Sequence, residues 1–201
     1  SALTVAAGFT NNGTIELTSS GAATAATLTL TAGTLVNAPG AQIVSLAGSG
    51  GARNLNAQYD NQGTITVSQA LSTNRVSTDY TNSGTIDVTG GNYTIVLSGT
   101  TPSFTTTGTI NVAAGRTLTL QGNLSGGAGL NYNYNAGTLG GAGTVAVTSA
   151  TLNLNTGLAS SVAHLDGTTC TIAGPSTLTI SNGTTVQLTS STVGAPTTVE
   201  A

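Results

Sequence analysis

Tyr80-Thr81-Asn82-Ser83-Gly84-Thr85-Ile86-Asp87-Val88 belongs to a set of near copies along the chain. Phe9-Thr10-Asn11-Asn12-Gly13-Thr14-Ile15-Glu16-Leu17 is a second, and Tyr59-Asp60-Asn61-Gln62-Gly63-Thr64-Ile65-Thr66-Val67 a third. In Phe104-Thr105-Thr106-Thr107-Gly108-Thr109-Ile110-Asn111-Val112 a Thr stands where the others have Asn. Leu35-Val36-Asn37-Ala38-Pro39-Gly40-Ala41-Gln42-Ile43 is a looser copy, stretched by an inserted residue or two. The leading bulky residues, at 9, 35, 59, 80 and 104, are separated by 26, 24, 21 and 24 positions. Recurrence in that range marks stacked units, each too small to bury its own apolar face.

Within each copy the side chains alternate. From Phe9, every second residue is Asn11, Gly13, Ile15 and Leu17, and Thr10, Asn12, Thr14 and Glu16 fall between them. That is a strand with one dry and one wet face. Circuits of about 24 residues, with strands ~4.8 Å apart, predict an all-β chain: a right-handed parallel β-solenoid of about eight coils, roughly 40 Å long. Its inward column would read Phe9, Leu35, Tyr59, Tyr80, Phe104, with two Tyr hydroxyls long enough to reach the surface. Beside it Asn11, Asn37, Asn61 and Asn82 would stack at the turn, each amide donating and accepting along the axis. Thr106 would end that ladder.

Composition agrees with strands. Gly and Thr are abundant, Met and Trp are absent, and no window has helical spacing of apolar residues. Only 4% of residues are charged, there is no Lys, and the cations are Arg53, Arg75 and Arg116. Phosphate recognition needs many cations, so no nucleic-acid partner is expected. No run is apolar and long enough for membrane insertion as a helix. The scarcity of charge also removes the usual guards against strand-edge pairing, which favours lateral or end-to-end self-association.

One unit is expected over 1–201, with regular coils over 3–121, less regular coils over 122–188, and a terminal strand or linker over 189–201. Thr27–Thr31 and Thr117–Leu120 supply second strands of their circuits, Gly48–Gly51 a corner, Gln69–Thr78 a longer loop, and Gly126–Gly129 a turn. In Leu130-Asn131-Tyr132-Asn133-Tyr134-Asn135 the apolar-inward choice buries Leu130, Tyr132 and Tyr134, two Tyr in one strand of a narrow core. Residues 1–8 enter the repeat without an amphipathic cap, and the absence of an initiator Met suggests a processed piece of something longer.

Chemistry is sparse. Asp60, Asp79 and Asp87 are the carboxylates that could approach one another across neighbouring coils, and their ordinary reading is turn and surface. His164 lies two residues from Asp166 on one strand face and would meet a nucleophile only if Ser160, Ser161 or Cys170 folded back; the neighbour relation alone is weak support for a triad. A lone Cys170 reads as a small buried apolar residue. Neither an enzyme, nor a cofactor, nor a metal site is expected. Thr-x-Thr pairs at 27/29, 64/66, 117/119 and 177/179 could order water or bind ice or carbohydrate, but the outer column Glu16, Thr66, Asp87, Asn111 interrupts the array, and Thr has high strand propensity anyway. Asn12, Asn92, Asn123 and Asn182 head Asn-x-Ser/Thr sequons, which permit glycosylation.

Through Asn11–Ile15, Asn37–Ile43, Asn61–Ile65 and Asn82–Ile86 the chain resembles the β-helical repeats of large secreted bacterial surface proteins, the filamentous-haemagglutinin-like exoproteins and autotransporter adhesin passengers. The resemblance is good over about residues 3–121, rests on a low-complexity motif, and departs in the near absence of charge and in the longer circuit. It implies an extracellular or cell-surface rod for adhesion, spacing or matrix building, with host surfaces or glycans as partners. A filament subunit stacking end to end is the alternative, and an ice- or carbohydrate-binding solenoid a further one.

Overall fold

The structure, a computed structural model, describes residues 1–21, 24–123 and 130–200, without the side chains of Ser160 and Ser161. Every regular element among them is a β-strand. The turn expected at 126–129 lies outside the described residues. The first winding is β1 (Ala2–Val5), β2 (Phe9–Asn11) and β3 (Thr14–Leu17). The second is β4 (Ala26–Asn37), which spans the lengths of both β1 and β2, and β5 (Gln42–Ser45); the third is β6 (Arg53–Asn61) and β7 (Thr64–Val67). The fourth is β8 (Leu71–Asn74), β9 (Tyr80–Asn82) and β10 (Thr85–Val88), and the fifth β11 (Tyr93–Leu97), β12 (Ser103–Thr106) and β13 (Thr109–Val112). β14 (Thr117–Gly122), β15 (Asn131–Tyr134) and the start of β16 (Thr138–Thr148) make the sixth. The rest of β16, β17 (Thr151–Leu154) and the start of β18 (Leu158–Thr168) make the seventh. The remainder of β18, β19 (Thr171–Ala173) and β20 (Leu178–Ile180) precede the ninth winding of β21 (Thr185–Thr189), β22 (Thr192–Val193) and β23 (Thr197–Val199).

Each strand pairs in parallel with the strands one circuit before and after it. The first side runs β1, β4, β6, β8, β11, β14, β16, β18, β21, so eight circuits separate its ends. This is a parallel β-solenoid of about eight turns. The alternation seen in the sequence is why: each strand has one apolar face, and only the neighbouring windings can complete the interior. The resulting core is continuous from Leu17 and Leu28 through Ile65, Ile86 and Val145 to Ile172 and Leu178.

The circuit stretches to 28 positions between Phe104 and its partner Tyr132, then tightens to 20, 20 and 21 through Leu152, Ile172 and Val193. Tyr132 and Tyr134 both point inward, 1% and 5% exposed, and Leu130 is buried beside them. Thr197–Val199 pairs with β20. The loop expected over 69–78 is corrected: Leu71–Asn74 is a strand, pairing with β6 on one side and β11 on the other. The strand was hidden because one of its inward residues is polar, Thr73, which is fully buried.

The glycine shared by the copies of the repeat has a steric reason. A Cβ built on Gly63 would overlap the carbonyl oxygen of Ala41, one on Gly84 that of Gly63, one on Gly108 that of Gly84, and one on Gly137 that of Gly108. Each glycine admits the backbone of the coil beneath at a distance no side chain allows. Gly13, in the first winding, has nothing within 4 Å.

Candidate functional site

The most organised polar feature lies inside the rod. Asn11 Nδ2 donates to Asn37 Oδ1 at 2.8 Å, Asn37 Nδ2 to Asn61 Oδ1 at 2.7 Å, and Asn61 Nδ2 to Asn82 Oδ1 at 2.7 Å. Asn82 Nδ2 donates to Thr106 Oγ1 at 3.1 Å, and over Thr106 the column passes to Tyr134. Each of the first three Asn also donates to the next coil's backbone: Asn11 to Gln42 O at 3.0 Å, Asn37 to Thr64 O at 3.2 Å, Asn61 to Thr85 O at 3.0 Å. Asn37, Asn61 and Asn82 are essentially unexposed, so each is satisfied by the protein alone, as burial requires.

Beside the ladder, Phe9 pairs with Leu35 and Leu35 with Tyr59; the Tyr59 and Tyr80 rings lie 5.0 Å apart; Phe104 pairs with Tyr80. Phe104 and Tyr132 continue the file at 6.0 Å. The expectation that two Tyr hydroxyls reach the surface is corrected, because they end against other polar groups of the interior. Tyr59 Oη is 3.3 Å from Tyr93 Oη, which is 2.9 Å from Thr73 Oγ1. Tyr80 Oη accepts from Arg75 N–H at 2.9 Å, and Tyr132 Oη donates to Ile95 O at 2.6 Å. Burial, the largest cause for each, pushes all four phenols above their ordinary 10.0. For Tyr59 the neighbouring Tyr93 adds to the rise.

Arg53 is 1% exposed, an inward residue in register between Ala26 and Leu71. Its guanidinium donates to Leu46 O at 2.8 Å, Gly50 O at 2.9 Å, Gly51 O at 3.0 Å, Ala52 O at 3.2 Å, and also to Ala47 O. The corner 46–52 is wrapped around it, with Gly48, Gly50 and Gly51 at positive φ. Sequence reasoning missed this anchor and the Thr73–Tyr93–Tyr59 chain; a cation following a glycine-rich corner was the available signal.

The acidic residues do not converge. Asp60 accepts from Gln62 Nε2 and Thr81 Oγ1, both at 2.6 Å, while Asp79 Oδ1 accepts from Ser103 N–H at 2.9 Å and Ser103 Oγ at 2.8 Å. Asp87 sits on another side, in register between Thr66 and Asn111. His164 and Asp166 are two positions apart in β18, His164 exposed, while Cys170 is buried with its sulfur towards Gly167. The side chains of Ser160 and Ser161 lie outside the described residues. Among the described residues no three His, Cys, Asp or Glu side chains are grouped so as to hold a metal. On the outside, Thr14, Gln42, Thr64, Thr85, Thr109 and Thr138 form one file in register, next to the mixed file Glu16, Val44, Thr66, Asp87, Asn111.

Compared with protein-family models, curated proteins and solved structures, the chain finds no match in any of the three.

Proposed function

We propose that the chain is a non-enzymatic structural segment, a β-solenoid rod belonging to a secreted cell-surface or extracellular fibre protein and serving adhesion or matrix scaffolding. The observation that supports this reading is where the polar groups are used. The Asn ladder, the Tyr hydroxyls and Arg53 all hold one winding to the next or to its own corner. The outer faces carry mostly Thr, Ser and Asn, which keep water by hydrogen bonding with little charge. Antibody labelling of intact cells, with binding of the purified chain to host matrix and glycan arrays, tests the proposal. Surface label with matrix or glycan binding is the expected outcome; label confined to the cell interior overturns it.

A second reading is a filament subunit that stacks end to end, a heterologous contact that propagates without closing. Leu3 in the first winding and Leu188 and Val199 in the ninth are 60%, 40% and 70% exposed. Further windings of a longer chain or a second copy would cover them equally well. Electron microscopy with sedimentation separates the two: concentration-dependent filaments support stacking, and a monodisperse short rod removes it.

A further inference from the structure

The tripeptide Asn-Gly-Thr occurs twice, at Asn12-Gly13-Thr14 and at Asn182-Gly183-Thr184. An Asn-Gly bond carries its own modification chemistry. The Gly backbone nitrogen, losing its proton to solvent, attacks the Asn side-chain Cγ; ammonia leaves; the resulting succinimide takes up water to give aspartate or isoaspartate. The step needs an exposed amide carbon and a backbone N–H that is free to ionise and swing inward. Local sequence makes the two sites nearly equal, so the fold decides between them.

Both Asn side chains are exposed. The difference is at glycine. Gly13 N–H donates to Asn11 Oδ1 at 3.1 Å, and Asn11 is itself tied into the ladder through Asn37. The nucleophile at the first site is therefore held by the first rung of the buried amide column. At the second site Thr184 N–H closes the turn onto Ser181 O at 3.1 Å, and Thr184 Oγ1 donates to the same carbonyl at 2.7 Å. Among the described residues neither Gly183 N–H nor the Asn182 side chain has a hydrogen-bond partner. Gly183 has φ +81° and no other residue within 4 Å of its missing Cβ, an openness that Gly13 shares, so the untied Gly183 N–H is what sets the second site apart.

We propose that Asn182 is a site of spontaneous deamidation and isoaspartate formation in the folded chain, and that Asn12 is protected by Asn11. The product adds a carboxylate to a chain of formal charge −3. In its isoaspartate form it also lengthens the backbone by one carbon just before β21, the first strand of the ninth winding.

The test is peptide mapping by mass spectrometry of the purified chain, made without N-glycosylation and incubated folded at mildly alkaline pH. The expected result is that the 182–183 peptide converts about tenfold faster than the 12–13 peptide. A tenfold ratio equals about 1.4 kcal/mol, the size of one net hydrogen bond. In denaturant the two rates should converge, since the local sequences match. Asn182→Gln should abolish the fast phase, and Asn11→Ala, checked for folding by circular dichroism, should accelerate conversion at Asn12. Equal rates in the folded chain, a faster Asn12, or no effect of Asn11→Ala overturns the proposal.

Discussion

Replacing Asn61 with Ala removes the middle of the ladder and should be among the costliest single changes to the rod. Three bonds go: Asn37 Nδ2 to Asn61 Oδ1, Asn61 Nδ2 to Asn82 Oδ1, and Asn61 Nδ2 to Thr85 O. Asn37 keeps its bond to Thr64 O, so its amide is not stranded. Asn82 Oδ1 loses the donor that the ladder supplies, in a place where Asn82 is 1% exposed and water is excluded. A buried orphan acceptor costs about 1–3 kcal/mol, and a lost net bond about 1 more; together these give about 3 kcal/mol. Asn11→Ala likewise takes the donor from Asn37 Oδ1, but it does so at the first rung, where Asn11 is 8% exposed and water can enter the vacated space to replace it, so a smaller loss of about 1–2 kcal/mol is expected. Asn153→Ala, on an outer face, should stay within about 0.5 kcal/mol. Asn61→Asp should be worse than Asn61→Ala at neutral pH, because an ionised carboxylate meets Asn82 Oδ1 and Thr85 O with no proton to offer. Burial would raise its folded pKa above the unfolded value of about 3.9, so the deficit should shrink as the pH falls through that folded pKa. Urea unfolding followed by circular dichroism measures these differences as midpoint shifts, provided the slope is unchanged. If Asn61→Ala costs no more than Asn11→Ala, the ladder is not a cohesive element and the reasoning fails.

Other outcomes follow from the same geometry. Gly84→Ala should destabilise by about 3 kcal/mol or more, since its Cβ overlaps Gly63 O, whereas Gly13→Ala should be within about 1 kcal/mol of neutral; similar urea midpoints for the two would contradict the steric account. Arg53→Lys keeps the charge but cannot reach the carbonyls of the 46–52 corner together, so a loss of about 2 kcal/mol and faster proteolysis within that corner are expected; an unchanged cleavage pattern would show that Arg53 does not hold the corner. For the buried phenols, folded pKa values lie above the unfolded 10.0, so their contribution to stability is intact below pH 10.0 and is lost as the pH rises beyond it. Tyrosinate absorbance should therefore appear together with loss of the strand signal. Phenols ionising near their ordinary value in a folded chain would refute their burial.

Much of the architecture is legible in the repeat itself. Phe9, Leu35, Tyr59, Tyr80 and Phe104 announce a column because an apolar residue recurs there at nearly constant spacing, and Asn11, Asn37, Asn61 and Asn82 announce a second one for the same reason. Thr73 and Arg53 carry no such mark. Both are inward residues whose polarity is answered by groups distant in sequence or by backbone carbonyls, and a hydrophobic pattern reads them as outward. The length of the tyrosine side chains misleads in the other direction. Reach alone suggests the surface, whereas the opposing wall of the narrow tube supplies the partners. The 20- and 21-residue later circuits lack the Asn-x-Gly-Thr-Ile phrase, so their register becomes visible only through strand pairing.

Distances between nitroxide labels test the central claim most directly. Labels on the outward positions Thr14, Thr85 and Thr138, in a Cys170→Ala background, lie on one file, three and five circuits apart. At ~4.8 Å per circuit, pulsed electron resonance should report about 14 Å for Thr14–Thr85 and about 24 Å for Thr14–Thr138. Distances that do not scale with the number of intervening windings would contradict the stacked solenoid.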